Sequence, residues 1–201
     1  MKKVLIRLLN ALIEKLIYKQ KQVEILNLRL RVNTFIDKTF YVGANSFFSC
    51  AKKIGELRIF ENVVVRKSCN FVMYPNSRLT IHRKVFINNY CSVNCLGSIE
   101  IGENTLLGEG VKMYDHNHDF RWTDDKQLQV DRDDFKIGYI KIGRNCWIGS
   151  NVTILKDVEI GDNVIIGANC LIYKSVPANS IVRTDAALSV TTQPDVLNGQ
   201  V

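Results

Sequence analysis

Two of the three histidines in the chain, His116 and His118, stand two residues apart, with Asp115 before the first and Asp119 after the second. On an extended strand, residues i and i+2 point to the same side, so both imidazoles would face one ligand. A neighbouring carboxylate orients an imidazole ring and favours its cationic form, which suits general acid–base catalysis. The cluster therefore indicates a catalytic centre, and the alternative is a pair of ordinary surface-loop histidines.

This cluster stands within a six-residue repeat. Isoleucine recurs at every sixth position, at Ile142, Ile148, Ile154, Ile160, Ile166 and Ile172. An α-helix, at about 100° per residue, would scatter these side chains around its axis. A single strand of this length would far exceed the usual strand. We therefore expect a triangular coil in which each turn contains three six-residue units, called phrases here, and in which the isoleucines face inward.

Two further positions of each phrase fit such a coil. The position four residues after each isoleucine is small or β-branched, at Cys146, Val152, Val158, Val164 and Cys170. Glycine follows four of the isoleucines, at Gly143, Gly149, Gly161 and Gly167. Small side chains suit a narrow interior, and glycine suits places where the chain bends or another backbone comes close.

Earlier phrases predict an irregular beginning of the same coil. Its inward positions are Ile59, Val65, Ile81, Ile87 and Val93. The repeat stops after His116 and resumes at Ile140, which leaves residues 117–139 as an inserted loop. Long loops on a rigid repeat commonly carry function. We expect the coil to occupy residues 25–183, with a polar tail over 184–201.

Residues 1–24 have a different pattern, in which leucine and isoleucine recur at helical spacing among lysines. This predicts an amphipathic helix. Arg7, Asn10 and Glu14 interrupt the apolar run, which argues against a signal peptide and against a membrane span. The apolar face either packs on the coil or on partner subunits, or lies on an anionic membrane surface. From Ile25 the alternation LNLRLRV predicts a strand.

Composition limits the partners. A net charge of +7 and a pI near 9.1 favour an anionic partner, but the basic residues follow no nucleic-acid-binding motif. A phosphate-bearing cofactor or an anionic lipid surface fits better. Cys69 and Cys91 take the same inward position of a phrase as Cys146 and Cys170, so we expect free, buried thiols and a cytoplasmic location.

Three segments carry a family resemblance: DHNHDF, IKIGRNCWIGSNVTI and IIGANCLIYKSVP. With them, Tyr114 to Lys174 resembles the hexapeptide acyltransferases, specifically the sugar O-acetyltransferases of the galactoside, maltose and capsule or O-antigen type. The resemblance implies that the coil is a left-handed parallel β-helix, and with the N-terminal helix and the inserted loop already inferred, this gives an all-β fold class. It also implies a homotrimer, acetyl-CoA bound between adjacent subunits, a histidine general base, a saccharide acceptor and no metal.

The resemblance assigns roles to individual residues. His118, followed by Asp119 and Phe120, matches the catalytic histidine best, with His116 second and with Asp115 or Asp119 orienting the ring. The expected cofactor-binding residues are Trp147, Gly149, Ser150, Gly167, Ala168, Lys174 and Arg183. Arg183 replaces the positive charge of a C-terminal segment that the family usually has and this chain lacks. Aromatic and charged side chains suit a sugar acceptor, and these are Tyr114, Arg121, Trp122 and Asp124.

Two other functions remain open. A zinc hydratase similar to the γ-type carbonic anhydrases would use His82, His116 and His118 as ligands, because three imidazoles can hold a catalytic zinc. A non-catalytic trimeric assembly module would act through its N-terminal helix and would bind no coenzyme A. Stoichiometric zinc in the purified protein would favour the first of these.

Overall fold

The computed structural model describes residues 2–184 of the protein. In this part of the chain, a single helix, α1 (Lys2–Arg29), precedes a coil of short parallel strands, and one antiparallel hairpin leaves that coil. The predicted all-β fold, a parallel β-helix with an N-terminal helix, is confirmed. The predicted tail lies, beyond Thr184, outside the described residues.

Three parallel sheets form the sides of the coil. Sheet A contains β1 (Thr34–Ile36), β4 (Glu56–Ile59), β7 (Arg78–Ile81), β10 (Ser98–Ile101), β15 (Tyr139–Ile142) and β18 (Val158–Ile160). Sheet B contains β2 (Tyr41–Val42), β5 (Val64–Val65), β8 (Phe86–Ile87), β11 (Leu106–Leu107), β16 (Trp147–Ile148), β19 (Ile165–Ile166) and β21 (Ile181–Val182). Sheet C contains β3 (Phe47–Cys50), β6 (Asn70–Met73), β9 (Ser92–Cys95), β12 (Lys112–Tyr114), β17 (Thr153–Ile154) and β20 (Leu171–Ile172).

The chain passes from sheet A to B to C in each turn, so the coil has three edges, named here AB, BC and CA after the sheets they join. Every isoleucine predicted to face inward is buried, and none of them is more than 4% exposed. The small inward positions are buried as well, and the six cysteines are free. The period of the sequence therefore determines which side chains form the core.

Successive coils become shorter along the chain. Ile36 pairs with Ile59 in the first coils, whereas Ile142 pairs with Ile160 in the later ones, so the later turns use fewer residues. The longer first coils enclose a wider interior. Aromatic side chains fill it, namely Phe40, Phe48 and Phe71. The regular turn of three six-residue phrases thus describes the later coils only.

Asparagine, more than glycine, provides the left-handed backbone at the corners. Asn104, Asn145, Asn163 and Asn179 all have φ near +60° and follow one another along edge AB. Their side-chain amides form a ladder, with N–O distances of 3.0 Å, 3.2 Å and 3.0 Å between neighbours. Asparagine tolerates positive φ better than most residues because its short polar side chain bonds locally. The ladder thereby ties successive coils together at one edge.

The glycines of the repeat allow the backbones of successive coils to approach closely. A Cβ built on Gly102 would lie 2.4 Å from the backbone of Gly143, and one on Gly143 would lie 2.6 Å from the backbone of Gly161. Both glycines lie on edge AB, where successive coils stack directly. Of the two reasons that the sequence suggested for glycine, close backbone approach is the one that applies at these positions.

Helix α1 extends beyond its predicted end, and the strand predicted from Ile25 is wrong. Ile25 and Leu28 are three residues apart, so they share a helix face, and both are buried over the first coil. Lys21 donates a hydrogen bond to the Ser46 carbonyl, and Arg29 Nη2 donates to the Asp37 carbonyl at 2.7 Å. The alternation of leucine and arginine is compatible with a strand, but the open end of the coil favours a helical cap.

Among the described residues, no helix is long and apolar enough to cross a bilayer.

The insertion predicted as a loop is an ordered hairpin. Strands β13 (His116–Trp122) and β14 (Leu128–Ile137) pair antiparallel, with a register shift between His118 and Phe120. It leaves the coil at edge CA, after sheet C and before sheet A. The hairpin therefore begins at the residues that the sequence marks as catalytic.

We predict that Gly102→Ala destabilises the protein by about 1–3 kcal/mol, because the new methyl group overlaps the main chain of the next coil. Chemical denaturation of the full chain measures the loss. Gly167→Ala is the matched control, since the nearest atom to its added Cβ is 3.3 Å away. Equal losses in the two variants would contradict this account.

Candidate active site

Asp115 is a buried carboxylate at the base of the hairpin. It is 0% exposed, and its two oxygens accept hydrogen bonds from the backbone N–H groups of Leu96 and Gly97, each at 2.8 Å. Those two residues form the CA corner of the preceding coil. Because two backbone donors hold the carboxylate, its orientation is fixed by the coil itself.

His116 lies directly against this carboxylate. Its Nδ1 is 3.2 Å from Asp115 Oδ1. The ring lies between Tyr114 and Phe135, at centroid distances of 6.3 Å and 5.3 Å and nearly perpendicular to both. Only 15% of the side chain is exposed. A ring held on three sides in this way has one nitrogen, Nε2, left for a ligand.

His118 is one step further along the hairpin and is more exposed. Its Nδ1 is 3.2 Å from the carbonyl oxygen of Asp131, and its ring centroid is 4.7 Å from that of Phe135. A backbone carbonyl orients a neutral imidazole, but it stabilises the cationic form less than a carboxylate does. The two histidines therefore share one face and differ in their partners.

Asp119 pairs with a lysine. Its Oδ1 is 2.8 Å from Lys136 Nζ, and the hydrogen bond from that ammonium lowers the pKa of Asp119. Of the two aspartates that the sequence offered as orienting groups, Asp115 is the one in contact with a histidine ring.

Phe135 is a site residue that the sequence reasoning missed. It contacts both histidine rings, and its ring centroid is 6.0 Å from that of Tyr74 in an earlier coil. It comes well after both histidines in the chain and lies on the opposite strand of the hairpin. Only the hairpin register brings it to them, so a repeat pattern gives no signal for it.

The nearest thiol stays protonated. Burial raises the pKa of Cys95, and the Asp115 carboxylate raises it further. Its Sγ donates to the Arg78 carbonyl at 3.1 Å. A neutral, inward-facing thiol is a poor nucleophile, so Cys95 takes a structural role.

The residues expected to bind an acceptor are spread along the hairpin. Tyr114 is at its base beside His116, whereas Trp122 pairs with Leu128 at the far end. Strand β13 is about 20 Å long, and this length separates the base of the hairpin from its tip. The structure thus brings Tyr114 to the histidines, while Arg121, Trp122 and Asp124 lie towards the tip.

A cleft of about 300 Å³ lies along the hairpin. Its charged lining residues are Asp119, Arg121, Asp131 and Asp134. Three carboxylates and one guanidinium in a shallow cleft suit a ligand rich in hydroxyl groups, because carboxylates accept and guanidinium donates hydrogen bonds. The cleft adjoins His118 through Asp131.

Most of the expected cofactor residues form a second group, at sheet B and edge BC. Trp147 is 56% exposed on the outer face of sheet B. Gly149 and Ser150 form the next corner, and Gly167 and Ala168 form the same corner one coil later. Arg183 follows at this edge, its Cα 3.8 Å from a Cβ built on Gly167. Lys174 lies apart from the group, after β20 on edge CA.

The two groups do not meet within one chain. The histidines lie on edge CA and the predicted cofactor residues lie on edge BC, with the full width of sheet C between them. His82 lies on the third edge, AB, where its Nε2 is 2.8 Å from Glu100 Oε1. Within one chain, the structure therefore does not assemble His82, His116 and His118 as one ligand set. Across residues 2–184, no cluster of three or more metal-ligating side chains is present.

Comparisons with known proteins agree with the repeat. The family model described as bacterial transferase hexapeptide (six repeats) matches residues 139–174. The chain is 26% identical over 161 residues to a protein named as a lipopolysaccharide biosynthesis O-acetyl transferase, WbbJ of Escherichia coli (strain K12). That alignment covers 77% of this chain and 82% of WbbJ.

A second relative from the same organism is named as a colanic acid biosynthesis acetyltransferase, WcaF. It is 27% identical over 133 residues, which cover 66% of this chain and 68% of WcaF. Among solved structures, the chain resembles AntD, an N-acyltransferase from Bacillus cereus in complex with dTDP and 3-hydroxybutyryl-CoA. The TM-score is 0.51 at 17% identity, with 81% of each chain covered. This last likeness concerns the fold.

The stacked coils, the inward isoleucines and the matched segment lead to one assignment. The predicted resemblance is confirmed: the chain carries the bacterial transferase hexapeptide repeat over residues 139–174.

Proposed function

We propose that the protein is an acetyl-CoA-dependent O-acetyltransferase that transfers an acetyl group to a saccharide hydroxyl, with His116 as general base. The observation that carries the proposal is the contact between His116 and the buried carboxylate of Asp115. The names of WbbJ and WcaF support acetyl transfer in the synthesis of surface polysaccharides.

The geometry defines the protonation state needed for catalysis. When Nδ1–H of His116 donates to Asp115 Oδ1, the lone pair of Nε2 is free to accept a proton. The acceptor hydroxyl loses its proton to Nε2 as its oxygen attacks the thioester carbonyl carbon. When the carbon–sulfur bond breaks, the imidazolium returns the proton to the coenzyme A thiolate. Asp115 stabilises the imidazolium between these two steps.

His118 and Asp119 contribute to acceptor binding in this proposal. The sequence placed His118 first as catalytic base, but its partner is a backbone carbonyl and Asp119 is paired with Lys136. The cleft beside them, with Arg121 and Asp131, suits sugar hydroxyl groups. Trp122 and Asp124 extend the same surface towards the hairpin tip.

The separation of the two groups supports a site shared between copies. Acetyl-CoA held along edge BC, by Trp147 and the corners that follow it, reaches His116 only if edge CA of a second copy lies alongside. Repetition of such a heterologous contact around an axis closes a ring, and a homotrimer is the proposed assembly.

The outer face of sheet B has the composition of a subunit interface. Its outward positions form one hydrogen-bonded column with an apolar residue at every level, namely Tyr41, Val64, Phe86, Leu106, Trp147, Ile165 and Ile181. Sheet A shows charged residues at the corresponding positions, among them Arg58, Glu100 and Lys141. An apolar column of this length marks a contact surface, and a second copy is the occupant proposed for it.

The six free cysteines support a cytoplasmic location, because thiols stay reduced there.

His116→Ala is expected to lower kcat by about 10² to 10⁴, because the general base is lost. Release of coenzyme A thiol from acetyl-CoA, with a panel of mono- and oligosaccharides, measures the rate. His118→Ala should mainly raise KM for the acceptor. A larger kcat loss in His118→Ala would transfer the role to that residue, and full activity in both variants would refute the proposal.

Asp115→Asn is expected to lose about 1–3 kcal/mol of stability, because an amide nitrogen would replace one acceptor facing the Leu96 and Gly97 donors. Denaturation curves measure this loss, and kcat should fall as well. Asp119→Asn, a half-buried position on the same hairpin whose carboxylate accepts no hydrogen bond from the coil, should leave the curve nearly unchanged. Similar denaturation curves for both variants would contradict the anchoring role.

Ile165→Asp is expected to break the trimer and abolish acetyl transfer, because it buries a charge in the column on sheet B. Sedimentation velocity measures the number of subunits. Leu171→Asp, an exposed apolar position on sheet C of the same coil, is the matched control and should leave the assembly intact. A trimer that survives Ile165→Asp would show that another face joins the copies.

A further inference from the structure

Helix α1 projects from the coil as an exposed segment before its buried C-terminal part. Every residue from Leu5 to Gln20 is exposed, and burial begins at Lys21 with Ile25 and Leu28 following. At 1.5 Å per residue, the exposed segment is about 24 Å long. An isolated helix of this length is marginally stable in water, so a partner is needed to keep it folded.

The exposed segment has one broad apolar face. Plotted at about 100° per residue, its leucines and isoleucines occupy about half of the circumference. They are Leu5, Ile6, Leu8, Leu9, Leu12, Ile13, Leu16 and Ile17, and Leu5 is 68% exposed. Arg7 and Glu14 occupy the opposite side, and Asn10 lies just outside the edge of the apolar face. An apolar face of this breadth, left open by the chain's own β-helix, marks a binding surface.

The same segment is strongly basic. Between residues 2 and 20 it contains Lys2, Lys3, Arg7, Lys15 and Lys19, against the single acid Glu14. A partner with negative charge is therefore favoured by charge complementarity.

Contact between copies of this helix fits the charge poorly. A seam that follows Leu9, Leu12 and Leu16 would place Lys19 in its interior and would bring like charges together along its edges. Glu14 alone cannot neutralise them. A seam also uses a narrow apolar stripe, and the face of this helix is about twice as wide.

An anionic bilayer surface satisfies both features. The boundary between headgroups and acyl chains accepts a wide apolar face parallel to the membrane. Lys15 at the border of that face, and Lys19 at the C-terminal end of the exposed segment, extend their ammonium groups into the headgroup layer, where acidic lipids attract them.

We propose that residues 2–20 of α1 form an interfacial helix that binds the protein to an anionic lipid surface. The apolar face lies among the upper acyl carbons, and the capping segment from Lys21 to Arg29 connects it rigidly to the first coil. This inference stands independently of the acetyl-transfer chemistry.

Co-sedimentation of the full chain with phosphatidylcholine vesicles, with and without a roughly one-third share of phosphatidylglycerol, tests the proposal. The protein is expected to sediment with the anionic vesicles. Leu12→Ser should lower the partition coefficient about tenfold or more, because one leucine no longer enters the acyl region. Asn10→Ser, in the same turn as Leu12 but outside the apolar face, is the matched control and should bind as the native chain does.

A second pair of substitutions separates charge from apolar contact. Lys15→Gln with Lys19→Gln should lower binding to anionic vesicles about tenfold or more and leave weak binding to neutral vesicles unchanged. Absence of binding to anionic vesicles would overturn the proposal, as would equal losses in Leu12→Ser and Asn10→Ser.

Sedimentation velocity and thioester consumption complete the test. If Leu12→Ser changes the number of subunits while the native chain does not bind vesicles, α1 joins copies and the proposal is wrong. Thiol release with soluble saccharides should be the same in Leu12→Ser and the native chain, because Leu12 is exposed on α1 before the first coil, whereas the histidines leave the β-helix several coils later. Failure of the membrane contact is therefore distinguishable from failure of the acetyl-transfer proposal.

Discussion

Each coil of this protein is held by main-chain hydrogen bonds to the coils on either side, and this stacking constrains everything else. Inward side chains meet their counterparts in the next coil, as Ile142 meets Ile160, so one coil cannot shift without exposing a layer of the core. Glycine and asparagine at the corners permit the close approach. Extra residues can therefore leave only at a corner, and the hairpin does so at edge CA.

The sequence predicts the core well because the core depends on a short period. Residues six apart fall on equivalent positions, and the buried isoleucines follow directly. The helical cap over the first coil was predicted less well, since Leu28 and Leu30 alternate with arginines as they would in a strand. This segment is helical because it covers the open end of the coil. A local sequence pattern does not reveal that the end of the coil needs a cover.

In the candidate site too, residues that are neighbours in the sequence were predicted, whereas contacts between distant parts of the chain were not. The spacing of His116 and His118 is visible in the sequence, and so is the neighbouring Asp115. The two backbone donors that hold this carboxylate belong to the preceding coil, and Phe135 reaches the rings only through the hairpin register. Contacts between coils and across the hairpin depend on coil length, which varies here, so sequence spacing alone does not reveal them.

The closure of the hairpin has a consequence for how such proteins diversify. The chain leaves and re-enters the coil at adjacent points, where Gly138 N donates to the Asp115 carbonyl at 2.7 Å. The length of the hairpin can therefore vary without changing the register in which the coils stack. Residues 117–134 can be exchanged while the contacts of Phe135 with His116 and Tyr74 and the hydrogen bonds between coils stay in place, which makes the projecting arm a replaceable part on a fixed frame.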